Sequence, residues 1–328
     1  MSKVLITTVP FGNQNTYPLD LLKKSDIDYL INPLNKKLTE DELAEMIVDF
    51  DVLIAGTEPI TKKVMDNAPK LRLISRVGIG LDSVDLLEAE KRGITVSYTP
   101  DAPAPAVSEL TIGLMLSLLR SIHTSNNEMY HGRWHRYFGR RLSVVTIGII
   151  GVGRIGLGVL RHLQGFSPAK ILVNDISPNH NLEREYSNIE WVDKEVIYQQ
   201  ADIVTIHTPL TIKTKDMVKK EQLLSMRKDA IVINTARGGI INENDLYEVM
   251  NNGHLSGAAI DVFDFEPYKG NLREVDNCIL TAHMGSMSID CRTRMEIEAT
   301  EEAVRFLKNQ PLEGVVPEEE YAVQREGL

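Results

Sequence analysis

The sequence predicts an α/β protein with two domains, each built on a parallel sheet. Three observations support this fold class. Short β-branched runs alternate with helical patterns along most of the 328 residues, a rhythm typical of β-α-β units. A glycine-rich turn joins one such run to a helical pattern at 151–156, and a proline-rich break lies at 98–105.

The first hundred residues alternate strand and helix signals. The strand signals are the apolar runs at 4–8, Val52–Ala55, Leu73–Arg76 and Thr95–Ser97. Helical patterns lie between them at 19–24 and at 40–50, where Thr39 is the expected N-cap. Together these units predict a small flavodoxin-like domain with its own parallel sheet.

One strand end in this first domain could bind an anion. In the stretch 75–82 the run that ends at Arg76 is followed by two glycines, Gly78 and Gly80, and backbone N–H groups at such a turn could hold a negatively charged group. Glycines that only turn the chain would give the same pattern.

A proline-rich stretch at 98–105 predicts an extended crossover into the second domain. The run at 107–121 is apolar nearly all round, so we expect a helix buried between domains or between subunits. Residues 130–141 are basic and aromatic. We expect a surface arm that packs on a second copy in a homodimer, and the alternative is an arm that brings an arginine such as Arg136 to an anionic substrate.

The middle of the chain carries a dinucleotide fingerprint. The run at 144–150 predicts a strand buried on both faces, and Gly151, Gly153 and Gly156 follow it in G-x-G-x-x-G spacing. These glycines allow a tight turn, close approach of the backbone to a diphosphate, and close helix packing. The next apolar run ends in Asp175, about 20 residues on, where a carboxylate accepts hydrogen bonds from the adenosine ribose and disfavours a 2′-phosphate. The expected cofactor is therefore NAD, unless this is only a structural glycine turn.

Strand signals continue beyond the fingerprint at 202–207, 230–234, 257–261 and 278–281. The helix predicted between two of them, Glu243–Asn251, has Asn242 as a plausible N-cap and Gly253 as its stop. This alternation predicts a doubly wound, Rossmann-like domain whose ligands lie at the carboxyl ends of the strands.

A last helix, beginning at Ile289, is expected to return to the first domain. The predicted domains are therefore a discontinuous substrate-binding domain, 1–102 plus 290–328, and an NAD-binding domain, 103–289. The acidic tail from Pro317 is expected to fray.

The composition restricts the class of protein. A formal net charge of −10 argues against nucleic acid or a membrane surface as partners. The start of the chain predicts a first strand and not a signal peptide, and the most apolar later segment, 110–119, is too short to cross a bilayer. Cys278 and Cys291 have no metal-ligand spacing, so we expect reduced thiols, no metal site and a cytoplasmic protein.

Three predicted strand ends supply Arg237, Glu266 and His283. Hydride exchange between NAD and a carbon–oxygen bond needs a group that gives or takes the oxygen's proton, and imidazole, with an ordinary pKa of about 6.5, suits this. A neighbouring carboxylate favours the imidazolium and fixes the ring, and a guanidinium binds a substrate carboxylate through two hydrogen bonds. Each residue alone has ordinary structural roles, but the three together predict a dehydrogenase.

Seven ordered motifs resemble those of the D-isomer-specific 2-hydroxyacid dehydrogenase family. They are RVGIGLD (76–82), SELTIGLML (108–116), GIIGVGRIG (148–156), HTPLTIKT (207–214), INTARGG (233–239), DVFDFEP (261–267) and ILTAHMGS (279–286). The resemblance implies that Arg237 binds the substrate, that His283 is the acid and base, and that Glu266 pairs with it. It also implies a cofactor site of Gly151, Gly153, Arg154, Ile155, Gly156, Asp175, His207, Thr208, Pro209, Thr214, Ala236, Asp261, His283 and Gly285, and a substrate site that includes Arg76, Val77 and Gly78.

Within this family the chain is most similar to short phosphoglycerate dehydrogenases that lack a regulatory domain, through Arg76, the helix start at 108–111 and the Trp134-His135-Arg136 arm. The implied substrate is D-3-phosphoglycerate or a related D-2-hydroxyacid. Two other functions stay open: an NAD-binding, corepressor-like regulator that keeps the same residues, and a phosphite-type dehydrogenase on the same scaffold.

Overall fold

The computed structural model of the chain describes residues 2–326. The chain divides into two compact units: Met1–Pro103 with Met287–Leu328, and Ala104–Ser286. These boundaries differ from the expected ones by one residue where the chain leaves the first unit and by three where it returns.

The first unit is built on a five-stranded parallel sheet. Its strands are β1 (Lys3–Ile6), β2 (Asp28–Ile31), β3 (Val52–Ala55), β4 (Leu73–Arg76) and β5 (Thr95–Ser97), and its first helices are α1 (Tyr17–Lys24), α2 (Glu40–Met46), α3 (Lys62–Asp66) and α4 (Leu86–Lys91). The strand order is β2-β1-β3-β4-β5, which is the flavodoxin-like order. The predicted class of this domain is therefore confirmed. All four residues of the central strand β3 are buried, which explains why its sequence is apolar without alternation.

The start of α2 follows the predicted cap. The Thr39 side chain accepts a hydrogen bond from the Glu42 N–H, and the Glu42 carboxylate accepts one from the Thr39 N–H, a reciprocal capping box. The helix ends at Met46, short of the predicted range of 40–50, and a 3-10 turn, Ile47–Asp49, follows it.

The second unit is built on a seven-stranded parallel sheet. Its strands are β6 (Thr146–Ile150), β7 (Lys170–Asn174), β8 (Ile189–Trp191), β9 (Ile203–Ile206), β10 (Ile231–Asn234), β11 (Gly257–Ile260) and β12 (Cys278–Leu280), and its helices are α5 (Ala104–Leu119), α6 (Ile122–Tyr130), α7 (Arg154–Gln164), α8 (Asn181–Glu185), α9 (Lys194–Gln200), α10 (Lys220–Ser225) and α11 (Glu243–Asn251). The order β12-β11-β10-β9-β6-β7-β8 contains the doubly wound pattern 3-2-1-4-5-6, read from β8, with one strand added beyond it. The Rossmann-like prediction is confirmed.

Two element boundaries in this unit differ from the prediction. β6 begins at Thr146 and not at 144, because Leu142–Val144 forms a 3-10 turn in which Val144 is exposed to solvent. α5 begins at Ala104, inside the proline-rich stretch. A proline in the first turn of a helix costs no intrahelical hydrogen bond, since the N–H groups there have no partner in the helix.

The chain then returns to the first unit through α12 (Ile289–Leu307) and α13 (Glu318–Arg325). The expectation that the tail frays from Pro317 is wrong. α13 is helical, Tyr321 packs against the apolar core of the first unit, and the Gln324 side chain bonds to the backbone near α4. The acidic composition of the tail gave no indication that Tyr321 and Gln324 would anchor it to the first unit.

Within residues 2–326, no single helix is long and apolar enough to cross a membrane. Only α5 and α6 taken together reach that length and hydropathy, and the pair is bent by 64°. α5 contributes Ile112, Met115 and Leu119 to the buried core of the second unit.

Candidate active site

The glycine-rich turn between β6 and α7 has the shape of a dinucleotide cradle. Gly151 has φ of +91°, and a Cβ there would lie 2.6 Å from the His207 carbonyl oxygen, while a Cβ at Gly156 would overlap the Gly151 carbonyl oxygen. A Cβ at Gly153 would meet no atom of the described chain within 4 Å. The protein's own packing therefore requires the first and third glycines, whereas the second leaves space for a ligand.

Asp175 lies where the fingerprint places it, at the end of β7. One carboxylate oxygen accepts a hydrogen bond from the Val152 N–H at 2.7 Å, and the other accepts one from the Ser177 N–H at 2.9 Å. The carboxylate thus stabilises the glycine-rich turn and retains lone pairs for ribose hydroxyls. Arg154 and Ile155 form the first turn of α7, whose free N–H groups suit a diphosphate.

Two polar atoms after β9 support this fit to NAD. His207 Nδ1 and Thr208 Oγ1 are buried, and neither has a hydrogen-bond partner in the part of the chain that the structure describes. Buried polar atoms without partners are uncommon in native proteins and call for a ligand or water. They follow the strand that neighbours β6, at the point where the strand order reverses, which is where such sheets bind nucleotides.

Burial sets the charge of His207. The residue as a whole is partly exposed, but its Nδ1 atom is buried, and burial lowers the pKa of His207 to about 3. Its Nε2 lies 2.9 Å from Thr205 Oγ1. The imidazole is therefore neutral at physiological pH and presents no positive charge to a diphosphate.

Thr214 and Pro209 form a turn just beyond this site. The Thr214 hydroxyl donates to the Pro209 carbonyl oxygen at 2.6 Å, and it accepts from the Thr211 N–H at 2.7 Å. These contacts fix the turn itself, and a cofactor contact by either residue stays a prediction.

Arg237, Glu266 and His283 follow three adjacent strands, β10, β11 and β12. His283 has φ of +50°, a left-handed conformation in which histidine is among the better tolerated residues. Its Nδ1 lies 3.0 Å from each carboxylate oxygen of Glu266. This contact holds the ring and leaves Nε2 as the nitrogen that could exchange a proton with a substrate.

Asp261 holds the loop that carries His283. Its carboxylate is buried, with 1% of the residue exposed. One oxygen accepts from the Thr281 hydroxyl at 2.6 Å and the Met284 N–H at 2.9 Å, and the other accepts from the Gly285 N–H at 2.9 Å. The His283 N–H also donates to the Asp261 carbonyl oxygen at 2.8 Å. Asp261 is therefore a positioning residue, a role that the sequence did not predict.

The turn that carries Arg237 packs directly on the segment that leads to Glu266. A Cβ at Gly238 would overlap the carbonyl group of Phe263, so only glycine permits this approach. The Arg237 Nη1 group donates to the Ala236 carbonyl oxygen at 2.7 Å, and the Phe263 N–H donates to Glu266 at 3.2 Å. The arginine and the glutamate are thus held by adjoining backbone segments.

Glu243, at the start of α11, adds a further carboxylate to this region. It accepts the Asp264 N–H at 2.8 Å. Partial burial raises the pKa of Glu243, and the nearby carboxylates of Asp264 and Glu266 raise it further. Sequence reasoning missed this residue, because a glutamate in the first turn of a helix also has a purely local explanation.

The substrate contact that the family resemblance implied for Val77 and Gly78 needs a correction. The Val77 N–H donates to the Ala55 carbonyl oxygen at 2.9 Å, and the Gly78 N–H donates to Thr99 Oγ1 at 2.8 Å, so neither amide is available to a ligand. The next two amides, those of Ile79 and Gly80, have no acceptor among the described residues. The available pair of donors therefore lies two residues further along the loop.

Arg76, expected to contact the substrate, is buried and only 3% exposed. Its Nε and Nη2 groups donate to the Gly80 carbonyl oxygen at 3.1 and 2.9 Å, and Nη1 donates to the Ala55 carbonyl oxygen at 3.0 Å. This geometry favours a structural role in the loop.

The described residues contain no group of three or more His, Cys, Asp or Glu side chains that could hold a metal ion.

Comparison with known proteins then decides the family. A family model described as the NAD binding domain of D-isomer specific 2-hydroxyacid dehydrogenases matches residues 112–285. The chain belongs to this family. It is an NAD-dependent D-2-hydroxyacid dehydrogenase, as the sequence motifs predicted.

Relatives of this dehydrogenase differ in substrate. The chain is 38% identical over 281 residues to a glyoxylate reductase of Thermofilum pendens, covering 83% of each chain. It is also 38% identical over 285 residues to a D-3-phosphoglycerate dehydrogenase of Methanocaldococcus jannaschii, covering 85% of this chain but 54% of that one. The crystal structure of the TT0316 protein from Thermus thermophilus has a TM-score of 0.86 and 30% identity, and the match covers 96% of this chain and 100% of that one.

Proposed function

We propose that this dehydrogenase interconverts a short 2-oxoacid and the corresponding D-2-hydroxyacid. The contact between His283 Nδ1 and Glu266, at 3.0 Å beside the Arg237 turn, carries the proposal. Glyoxylate, hydroxypyruvate and 3-phosphohydroxypyruvate are the candidate oxoacids, in keeping with the names of the relatives, which include a hydroxypyruvate reductase of Thermotoga maritima that is 33% identical over 294 residues. The last of these corresponds to the D-3-phosphoglycerate predicted from the sequence.

In this proposal each residue has one task. Bound NADH supplies the hydride for the keto carbon. His283, protonated and held through Nδ1 by Glu266, gives its Nε2 proton to the carbonyl oxygen, and the oxidation reverses this transfer. Arg237 binds the substrate carboxylate and polarises the carbonyl group. The free amides of Ile79 and Gly80 are further proposed donors to a carboxylate.

The experiment is a panel of 2-oxoacids assayed by NADH absorbance, with wild type beside His283→Asn. Asparagine tolerates the left-handed backbone of His283 and retains a polar contact to Glu266, but it cannot act as an acid. We expect kcat to fall by about 10²- to 10⁴-fold, with an unchanged NADH Kd in a fluorescence titration. Equal turnover by the variant would refute the role of His283. Phosphite oxidation without oxoacid reduction by wild type would refute the substrate class.

A homodimer is part of the proposal. The arm that follows α6 leaves large apolar side chains in solvent, with Trp134 79% exposed and Phe138 fully exposed, next to Met129 at 52%. Several large apolar side chains exposed on one short segment are typical of a protein interface, and we infer that a second copy covers them. Light scattering should give a dimer for wild type and a monomer for Trp134→Ser combined with Phe138→Ser, and a monomeric wild type would refute the inference.

A reducing compartment such as the cytoplasm is also proposed. Cys278 and Cys291 are both buried and unpaired, as expected where thiols stay reduced. Thiol titration of the denatured, purified protein should find two free thiols.

A further inference from the structure

The loop from Ile79 to Leu86 follows β4 in the first unit and carries the two amides that have no acceptor among residues 2–326. Glycine at 80 gives this loop little intrinsic rigidity. Two amides can bind a carboxylate with a fixed geometry only if neighbouring groups hold the backbone. The structure supplies such a group on each side of Gly80.

The first group is the Arg76 guanidinium. Nε and Nη2 both donate to the Gly80 carbonyl oxygen, and Nη1 donates to the Ala55 carbonyl oxygen at the end of β3. A planar guanidinium with fixed donors ties the loop to a buried strand in a way that the single ammonium group of lysine cannot reproduce.

The second group is the Gln324 amide on α13. Its oxygen accepts the Leu86 N–H at 2.9 Å, and its nitrogen donates to the carbonyl oxygens of Val84 at 2.7 Å and Leu81 at 3.4 Å. One side chain thus satisfies three backbone groups of the same loop. The neighbouring Arg325 instead forms ion pairs with Glu90 and Glu318, so it provides a matched control on the same helix.

We propose that Arg76 and Gln324 are positioning residues that hold the Ile79 and Gly80 amides in place for the substrate carboxylate, and that Arg76 is not a ligand of a substrate phosphate. This inference rests on the proposed function. Its physical basis is that Nε, Nη1 and Nη2 of Arg76 each donate to a backbone carbonyl oxygen, at a residue that is only 3% exposed. The helix formed by the tail then affects substrate affinity through the loop that it holds.

The test compares Gln324→Ala, Arg76→Lys and the control Arg325→Ala with wild type. KM and kcat are measured for glyoxylate. For 3-phosphohydroxypyruvate the KM is measured, or the inhibition constant Ki if this acid binds without being reduced. We expect Gln324→Ala and Arg76→Lys to weaken both acids by a similar factor, about threefold to tenfold, equivalent to the loss of one hydrogen bond. In these two variants kcat and the NADH Kd should stay within about twofold of wild type. All constants of Arg325→Ala should stay within the same range, since substitutions of exposed side chains usually have little effect.

Three results would overturn the inference. Wild-type constants in Gln324→Ala would show that the tail does not position the loop, and this variant lies on a surface helix, so it serves even if Arg76→Lys does not fold. A loss confined to the phosphorylated acid in Arg76→Lys would make Arg76 a phosphate ligand. Absence of oxoacid reduction by wild type would instead refute the proposed function, and this inference with it.

Discussion

The neutral His207 ring makes the stability of the second unit depend on pH. Burial lowers its pKa in the folded protein to about 3, whereas an unfolded histidine has a pKa of about 6.5. Between these two values the unfolded chain binds a proton that the folded chain does not. The contribution of the neutral His207 ring to the free energy of unfolding is therefore fully present above about pH 6.5 and is lost as the pH falls toward 3.

The size of the effect follows from these two pKa values. Each pH unit below the unfolded pKa costs about 1.4 kcal/mol. Because pH 5 lies about 1.5 units below the unfolded pKa, His207 lowers the free energy of unfolding there by about 2 kcal/mol relative to pH 7. The full loss, reached only below pH 3, is about 5 kcal/mol.

Urea unfolding of wild type and His207→Gln at pH 7 and pH 5 measures this contribution. Other titrating groups affect both proteins alike, so the difference between the two pH-dependent changes isolates His207. We expect wild type to lose about 2 kcal/mol more than the variant between the two pH values. The same loss in both proteins would refute the assignment of a neutral, buried ring to His207.

Three further predictions concern the cofactor turn and the His283 loop. Asp261→Asn should lower the free energy of unfolding by about 1–3 kcal/mol and kcat by at least about tenfold. The asparagine amide nitrogen would face a donor, such as the Gly285 N–H, at a position where a carboxylate oxygen of Asp261 accepts a hydrogen bond. Gly156→Ala should abolish NADH binding in a fluorescence titration, because its methyl group would overlap the Gly151 carbonyl oxygen. Asp175→Ala should lower the ratio of kcat/KM for NAD to that for NADP by about tenfold or more, the value of one charged hydrogen bond.

Each of these predictions has an outcome that contradicts it. Unchanged kcat in Asp261→Asn would remove the positioning role of that carboxylate. The matched control for Gly156→Ala is Gly165→Ala, where the nearest atom is 3.5 Å from the new methyl group. If both variants bind NADH equally tightly, the glycine-rich turn tolerates a side chain at 156. A constant cofactor ratio in Asp175→Ala would show that NAD selectivity lies elsewhere.

The sequence predicted both sheets, apart from the strands β2 and β8, and the strand ends that carry Arg237, Glu266 and His283, because these depend on local patterns. Buried parallel strands are apolar throughout, and the G-x-G-x-x-G spacing ties a strand to a helix within a few residues. For the same reason Thr39 and Asn242 were correctly predicted as N-caps, and the structure confirms both, with the Asn242 side chain accepting the Asp245 N–H.

The corrections involve contacts between distant parts of the chain. Whether the Val77 and Gly78 amides are free depends on Ala55 and Thr99, more than twenty residues away on neighbouring segments. The tail helix depends on a core and a loop built by the first hundred residues. Local sequence patterns contain no information about such partners, so the hydrogen-bonding state of a backbone amide requires the folded structure.

Transfer of deuterium tests the central claim, that this dehydrogenase passes a hydride from NADH to C2 of a 2-oxoacid to form a D-2-hydroxyacid. Hydroxypyruvate is incubated with NADH labelled stereospecifically with deuterium at C4 on one face or the other, and the glycerate formed is analysed by chiral chromatography and mass spectrometry. The account predicts that one of the two labelled cofactors gives D-glycerate with a single deuterium at C2. Glycerate of L configuration, or product without deuterium from either cofactor, would contradict it.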